Sequence, residues 1–215
     1  IINLNGGLLQ TPQIVDQNTD PAVGPSTFNF NGGVLRVTSG SASGGTFMQG
    51  LTNAFVRSGG AIIDTNGVAT TIVQPLLAPT DGSDTSGGLT KLNTGTLTLA
   101  SAATYGGATN INGGTLQLNF AAGTAPATNL IPATSALILN GGGLLVSGKT
   151  TATSQTFSGT TLNSPGSINA TIGTGGSVTL ALGSITRNSG AAVDFTLPAS
   201  GAITTTTSNS TGTIL

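Results

Sequence analysis

The chain has 215 residues, of which only five are Lys or Arg and six are Asp, and its formal net charge is −1. This charge offers no cluster of basic residues for nucleic acid or for an anionic membrane surface. Because Glu, His and Cys are absent, Ser-His-Asp and Cys-His nucleophile pairs are excluded, as are thiolate and imidazole metal sites. The sequence predicts no cofactor, no metal and no membrane span, since no apolar run approaches about 18 residues.

Short runs that alternate apolar and polar residues predict β-strands along most of the chain. In chain order, the clearest are Val34 to Val37, Thr96 to Leu99, Thr115 to Leu118 and Val193 to Leu197. Thirty-four glycines are spread through the sequence, and they interrupt any helix and supply tight corners. The predicted class is therefore all-β.

One short phrase occurs five times: an apolar residue, Asn, Gly or Thr, Gly, any residue and Leu. The copies are Leu4 to Leu9, Phe30 to Leu35, Leu92 to Leu97, Ile111 to Leu116 and Leu139 to Leu144, and a degenerate copy covers Ser58 to Ile62. The copies are mostly 19 to 35 residues apart, the length of one coil of a stacked-repeat protein. They predict a single β-solenoid domain over residues 1–215, a single-stranded parallel β-helix of about nine or ten irregular coils, with a loop insertion over residues 74–86.

Stacking of the coils predicts two interior columns of side chains and one column of asparagines. One interior column comprises Leu9, Leu35, Leu97, Leu116 and Leu144, and the facing one comprises Leu4, Phe30, Leu92, Ile111 and Leu139. The asparagines are Asn5, Asn31, Asn93, Asn112 and Asn140. Two compatible interpretations remain open for them: each Asn makes a left-handed corner, or the side chains form a ladder of amide hydrogen bonds between coils.

Aspartates in two loops are the candidate ligand-binding residues. Asp16 lies shortly before Pro21, Asp20 lies next to it in the sequence, and Asp81 and Asp84 lie in the loop insertion. A turn is the favoured interpretation of Asp81-Gly82-Ser83-Asp84, and a weak calcium site or a catalytic pair is the alternative. No catalytic, cofactor-binding or metal-ligating residue is assigned.

Residues 87–119, with Gly88 to Lys91, Gly95 to Leu99, Thr104 to Thr109 and Asn112 to Leu118, resemble the autotransporter-associated β-strand repeat, also called the passenger-associated transport repeat. A second stretch, Ile185 to Pro198 followed by the Thr204 to Thr207 tract, resembles a segment of very large tandem-repeat proteins of the same kind. The resemblance implies a right-handed β-helix secreted to the surface of a Gram-negative-type bacterium. The outer-membrane β-barrel of such proteins is not found in this sequence.

The expected function is that of a non-catalytic, extracellular structural module of a surface or fibre-forming protein. A carbohydrate- or host-surface-binding adhesin module is the alternative, followed by a polysaccharide-acting enzyme. The sequence begins at Ile1 rather than Met, which suggests a piece of a longer repeat protein. Both ends are strand-like and lack the polar caps of isolated solenoids, so we expect self-association through the end strands, with further repeats or with another subunit.

Overall fold

The computed structural model describes residues 1–16, 24–38, 45–82 and 84–208. This part of the chain contains strands, turns and bends, with no helix, and all its strand pairs are parallel. The chain winds into a parallel β-solenoid, so the predicted all-β class and stacked architecture are confirmed.

Two long sheets of eight strands each form two sides of the solenoid. The first long sheet contains β2 (Leu8–Thr11), β5 (Val34–Val37), β8 (Ala61–Asp64), β10 (Leu89–Leu92), β12 (Thr109–Asn112), β14 (Leu137–Leu139), β17 (Gly159–Leu162) and β20 (Ser184–Arg187). The second contains β3 (Ile14–Val15), β6 (Thr46–Gln49), β9 (Thr70–Ile72), β11 (Thr96–Leu99), β13 (Thr115–Asn119), β15 (Gly143–Ser147), β18 (Gly166–Thr171) and β21 (Val193–Thr196).

Two short sheets form a third side, one near each end. The N-terminal one contains β1 (Ile2–Leu4), β4 (Thr27–Phe30) and β7 (Asn53–Val56), and the C-terminal one contains β16 (Ala152–Thr156), β19 (Ser177–Ala181) and β22 (Gly201–Thr204). Less regular chain connects them, with bridges from Phe55 to Leu77 and from Thr128 to Ser154. In each full turn, the chain therefore passes through the third side, then the first long sheet and then the second long sheet.

The eight strands of each long sheet span about seven turns, fewer than the nine or ten coils predicted. Stacked partners lie 26 residues apart for Leu8 and Val34, 28 for Val34 and Ile62, and 20 for Thr90 and Asn110. The predicted coil count was too high because many turns include long connections on the third side. At about 4.8 Å per strand, the stacked strands extend over roughly 34 Å.

The interior is a continuous apolar core, but the predicted leucine column is wrong as a single column. Leu9 pairs with Leu35 in the first long sheet, and Leu35 pairs with Ile63 on its other side. Leu97, Leu116 and Leu144 pair in the second long sheet. The phrase repeats at two different corners of the solenoid, so equal phrases lie on different sides.

The facing column divides for the same reason. Leu4 and Phe30 pair on the third side, whereas Ile111 and Leu139 pair in the first long sheet. Leu92 does not join either pair. Its neighbour Lys91 occupies the interior position beside Ile111, and this placement was not predicted.

The segment predicted as a loop insertion, residues 74–86, begins as part of the third side. Leu76 is buried in the core, and Leu77 bridges to Phe55. The Gln74 carboxamide accepts a hydrogen bond from the Leu51 amide at 2.9 Å. The first four residues of this segment therefore belong to the stack, and the chain leaves it after Leu77.

Close approach of the main chain requires glycine at the corner that leads into the first long sheet. A Cβ atom on Gly87 would lie 2.4 Å from the Arg57 carbonyl oxygen and 2.6 Å from the Gly60 nitrogen. These atoms belong to the main chain of the neighbouring turn and have little freedom to move. The Gly-Gly pairs are thus coil corners where successive turns touch.

The adjacent leucines Leu144 and Leu145 provide a matched test of the core. Leu144 is completely buried between Leu116 and Ile168, whereas Leu145 lies on the outer face beside Gln117. We expect Leu144→Ala to lower the free energy of unfolding by about 2 to 5 kcal/mol, because it leaves a cavity. Leu145→Ala should cost about 1 kcal/mol or less. Denaturant unfolding measures both, and equal losses would contradict the assigned register.

Candidate functional site

A ladder of asparagine side chains runs along the corner between the two long sheets. The Asn140 side-chain amide donates to the Asn112 side-chain carbonyl at 2.6 Å, and Asn163 donates to Asn140 at 2.6 Å. Asn188 continues the ladder by donating to Asn163. All three bonds have the same polarity: each Nδ2 atom is directed at the preceding turn, and Asn112 begins the series. Asn163 and Asn188 were not predicted, because the residues after them depart from the repeated phrase.

The other predicted asparagines lie elsewhere. Asn5 and Asn31 occupy the corner between the third side and the first long sheet, where Asn31 donates to Asn5 at 3.3 Å and accepts from the Gly59 amide at 2.9 Å. Asn93 has a left-handed backbone, with φ of 60°. At Asn5, Asn31, Asn112 and Asn140 the positive φ falls on the following glycine instead. Both interpretations therefore apply, but at different positions: Asn93 makes a left-handed corner, and other asparagines bind each other between turns.

The column that holds the asparagine ladder holds charged residues nearer the N-terminus. Strand pairing places Arg36 beside Asp64, Asp64 beside Leu92 and Leu92 beside Asn112. The Arg36 Nε atom lies 2.7 Å from an Asp64 carboxylate oxygen. One column at this corner therefore changes from an ion pair to an amide ladder along the rod.

Asp64 is almost completely buried, with 1% of its side chain exposed. Burial by itself would raise the pKa of Asp64, but hydrogen bonds from Asn93, Arg36 and the Asn66 amide, with the Arg36 charge, outweigh burial and lower it. The Asn66 amide donates to the carboxylate at 2.8 Å. The carboxylate is thus held ionised and its oxygens are engaged by the protein itself.

Lys91 is the most unusual residue of the core, because its side chain is completely buried. Its ammonium group donates to the carbonyl oxygens of Leu92 at 3.0 Å, Asn93 at 2.6 Å and Gly113 at 3.2 Å. Burial lowers the pKa of Lys91 to about 8, and the Asp64 charge opposes this shift. The ammonium group therefore links two successive corners through hydrogen bonds to their carbonyl oxygens.

A network of buried hydroxyl groups connects Tyr105, Thr109 and Ser135. The Tyr105 and Thr109 hydroxyls lie 2.7 Å apart, and Thr109 lies 3.0 Å from the Ser135 hydroxyl, which donates to the Gly107 carbonyl. Burial raises the pKa of Tyr105. Tyr105 lies on the third side, where neither short sheet extends, and its ring is completely buried in the core.

The candidate ligand-binding aspartates are not brought together as one site. Asp81 forms an ion pair with Arg57 at 2.8 Å, and Asp84 accepts from the Ser58 amide at 3.1 Å, bonds that lower the pKa of Asp84. Both carboxylates thus attach the loop to the preceding turn. Asp16 lies at the N-terminal end after β3, where its amide donates to the Gln49 carbonyl. Asp20 lies outside the described residues.

Among the described residues, no group of three or more Asp, Glu, His or Cys side chains is placed to hold a metal ion. This part of the chain contains no long apolar helix of the kind that crosses a membrane. The charged groups described above bind to one another or to the main chain, and this arrangement fixes successive turns in register.

The fold is therefore that of a three-sided parallel β-solenoid whose corners carry stacked polar side chains. Residues 89–118 match the family model described as Passenger-associated-transport-repeat. This segment covers one turn with its flanking strands, from β10 to β13, and includes both Lys91 and Tyr105. Searches of curated proteins and of solved structures gave no match.

The amide ladder predicts a pH-dependent effect of Asn140→Asp. The new carboxylate would lose the bond to the Asn112 carbonyl and place a negative charge against it, so we expect a loss of about 1 to 3 kcal/mol of unfolding free energy at pH 7. Protonation of the carboxylate below about pH 4 should restore a donor and reduce the loss. Asn110→Asp, on the outer face of the neighbouring strand β12, is the matched control, and denaturant unfolding at both pH values gives the comparison.

The buried Lys91 predicts that stability rises with pH in the alkaline range. Because the pKa of Lys91 is about 8 in the folded chain and near 10.4 when unfolded, the unfolded chain binds more protons between these values. The unfolding free energy should therefore increase by about 2 kcal/mol from pH 7.5 to 9.5. Above about pH 10, the raised pKa of Tyr105 acts in the opposite direction.

The Lys91→Met substitution should abolish this rise of the unfolding free energy with pH. The same substitution at the other lysine, Lys149→Met, should leave the rise unchanged. Thermal or denaturant unfolding over the pH series measures the slope. A Lys91→Met chain with the same slope as the unmodified chain would contradict the assignment.

Proposed function

We propose that this chain is a structural module of an autotransporter-type passenger, a rod that is displayed or secreted outside a bacterial cell. The observation that carries the proposal is the continuous three-sided core, which contains a transport-repeat match as an internal turn. The repeat is built into the rod, with its strands paired on both sides. Its residues therefore stack on the neighbouring turns in the same way as the rest of the chain.

The polar groups of the described residues support a non-catalytic role. Arg36 and Asp64 bind each other, Arg57 binds Asp81, and the Lys91 ammonium group binds three carbonyls. Because these groups bind one another or the main chain, they contribute to the register and rigidity of the rod. Stiffness and length are the properties that a spacer or surface scaffold needs, and a solenoid supplies them through repeated nearest-neighbour contacts.

Surface location can be tested on cells that produce the complete parent polypeptide. An antibody raised against the folded chain should label intact cells or the culture fluid, with a cytoplasmic protein as the control for lysis. Labelling that appears only after permeabilisation would contradict the proposed location.

The structural role can be tested by removing one whole turn. Strand pairing shows that residues 137–159 form one turn, since Leu137 pairs with Thr160, and that residues 89–108 form another, since Leu89 pairs with Thr109. Either deletion leaves the remaining strands in register, so we expect a shorter, folded rod that is still exported. A control deletion that is not a whole turn, residues 97–108, joins Thr96 of β11 in the second long sheet to Thr109 of β12 in the first, and it should unfold the chain.

Circular dichroism of the purified chains and antibody labelling of cells report the two properties. If the chain were an enzyme or a ligand-binding module, a turn deletion distant from its site would spare the activity and a nearer one would abolish it. Detection of such an activity on a panel of polysaccharides or glycans would overturn the structural proposal.

A further inference from the structure

The sequence contains five Asn-Gly pairs, and the structure gives them different surroundings. In such a pair, the main-chain nitrogen of the glycine can attack the side-chain amide of the asparagine, because glycine has no side chain to obstruct the attack. A hydrogen bond that holds either group opposes this reaction, since the bond must break first. The pairs begin at Asn5, Asn31, Asn66, Asn112 and Asn140. Asn5 lies in the first turn, whereas the other four pairs have a described turn on both sides.

Two of these four pairs are held through their glycine amides. The amides of Gly32 and Gly67 each donate to a carbonyl oxygen of the next turn at 3.1 Å. The side chains of Asn31 and Asn66 also donate to the preceding turn. Both the attacking nitrogen and the group that it would attack are therefore engaged.

The pair that begins at Asn140 is held through its side chain. Its Nδ2 atom donates to Asn112, and its Oδ1 atom accepts from Asn163, each at 2.6 Å. Because both ends of the carboxamide are fixed, it cannot turn toward the Gly141 nitrogen without the loss of two hydrogen bonds.

Asn112 is the least restrained of the four asparagines. Its Oδ1 atom accepts from Asn140, but its Nδ2 atom donates to no group of the described residues. The cause is the residue one turn earlier, because strand pairing places Leu92 beside Asn112 and a leucine side chain offers no acceptor. The Gly113 amide likewise donates to no described group, and Asn112 is exposed to solvent.

We propose that Asn112 is a site of spontaneous deamidation, a covalent modification that introduces a negative charge at the corner between the two long sheets. The Gly113 nitrogen loses its proton and forms a bond to Cγ of Asn112. The bond from Cγ to Nδ2 breaks, and this nitrogen leaves as ammonia. Water then opens the succinimide ring at either of its carbonyl groups and gives aspartate or isoaspartate.

The polarity of the ladder makes the aspartate product compatible with the fold. Asn112 begins the ladder and only accepts, and a carboxylate oxygen can accept the same hydrogen bond from Asn140. At Asn140 the same change would remove a donor. The rod can therefore acquire a charge at Asn112 while the ladder stays intact, whereas isoaspartate would lengthen the main chain at this corner.

Peptide mapping by mass spectrometry tests the site in the unmodified chain. The folded chain is incubated in mildly alkaline buffer, and each Asn-Gly peptide is followed for the mass increase of about 1 Da that deamidation causes. The Asn112 peptide should convert about fivefold faster or more than the three other pairs, because each of these has at least one more hydrogen bond to break. A rate at Asn112 no higher than the others would overturn the proposal. The same ratio of rates in denaturant would assign the difference to local sequence and overturn the structural argument.

Leu92→Asn tests the physical cause without a change at the reacting residues. The new side-chain carbonyl would lie one turn before Asn112 and accept from its Nδ2 atom, with the polarity of the rest of the ladder. Deamidation of Asn112 should then slow by about fivefold. Thr90→Asn, on the outer face of the same strand, is the matched control and should leave the rate unchanged. An unchanged rate in a folded Leu92→Asn chain would contradict the role of the missing acceptor.

Asn112→Asp tests whether the aspartate product is tolerated. Because the acceptor for Asn140 is kept, the midpoint of denaturant unfolding at neutral pH should stay close to that of the unmodified chain. Asn140→Asp is the matched comparison and should lower the midpoint, since it removes a ladder donor. Equal losses in the two variants would show that the fold does not tolerate the product.

Discussion

Main-chain hydrogen bonding between parallel strands of successive turns is the constraint on which the rest of this structure depends. Because each described strand pairs in parallel with the strand one turn away, each side chain lies beside its equivalent in the next turn. Leu97, Leu116 and Leu144 form an apolar column for this reason. The same geometry forces polar groups at the corners to find partners along the rod axis.

The corner between the two long sheets shows how one position can meet this requirement in different ways. Its column contains the ion pair of Arg36 and Asp64 and, beyond Leu92, the amide ladder that begins at Asn112. Asparagine suits a ladder because one side chain carries both a donor and an acceptor, so identical residues can bind each other. A charged residue needs an opposite charge or a set of carbonyls instead, as Asp64 and Lys91 show.

The sequence was sufficient to predict the class and the stacking but not the assignment of each repeat to a side. The phrase around Asn5 and the phrase around Asn112 are nearly identical, yet they lie at different corners, because the chain makes three corners per turn and the connections vary in length. Lys91 was also hidden from sequence analysis. A lysine that follows Leu-Thr in an alternating strand cannot be distinguished from a solvated one until the carbonyls around it are known.

What the sequence by itself determined was the alternation of its strands, the glycine corners and the low content of charged residues. These are local properties, set by side-chain volume and backbone freedom over a few residues. Only the tertiary structure decided which turns lie in contact and thus which asparagines form a ladder and which carbonyls receive Lys91. Partners 20 to 28 residues apart are selected by the lengths of the connections between them, and no local pattern encodes that choice.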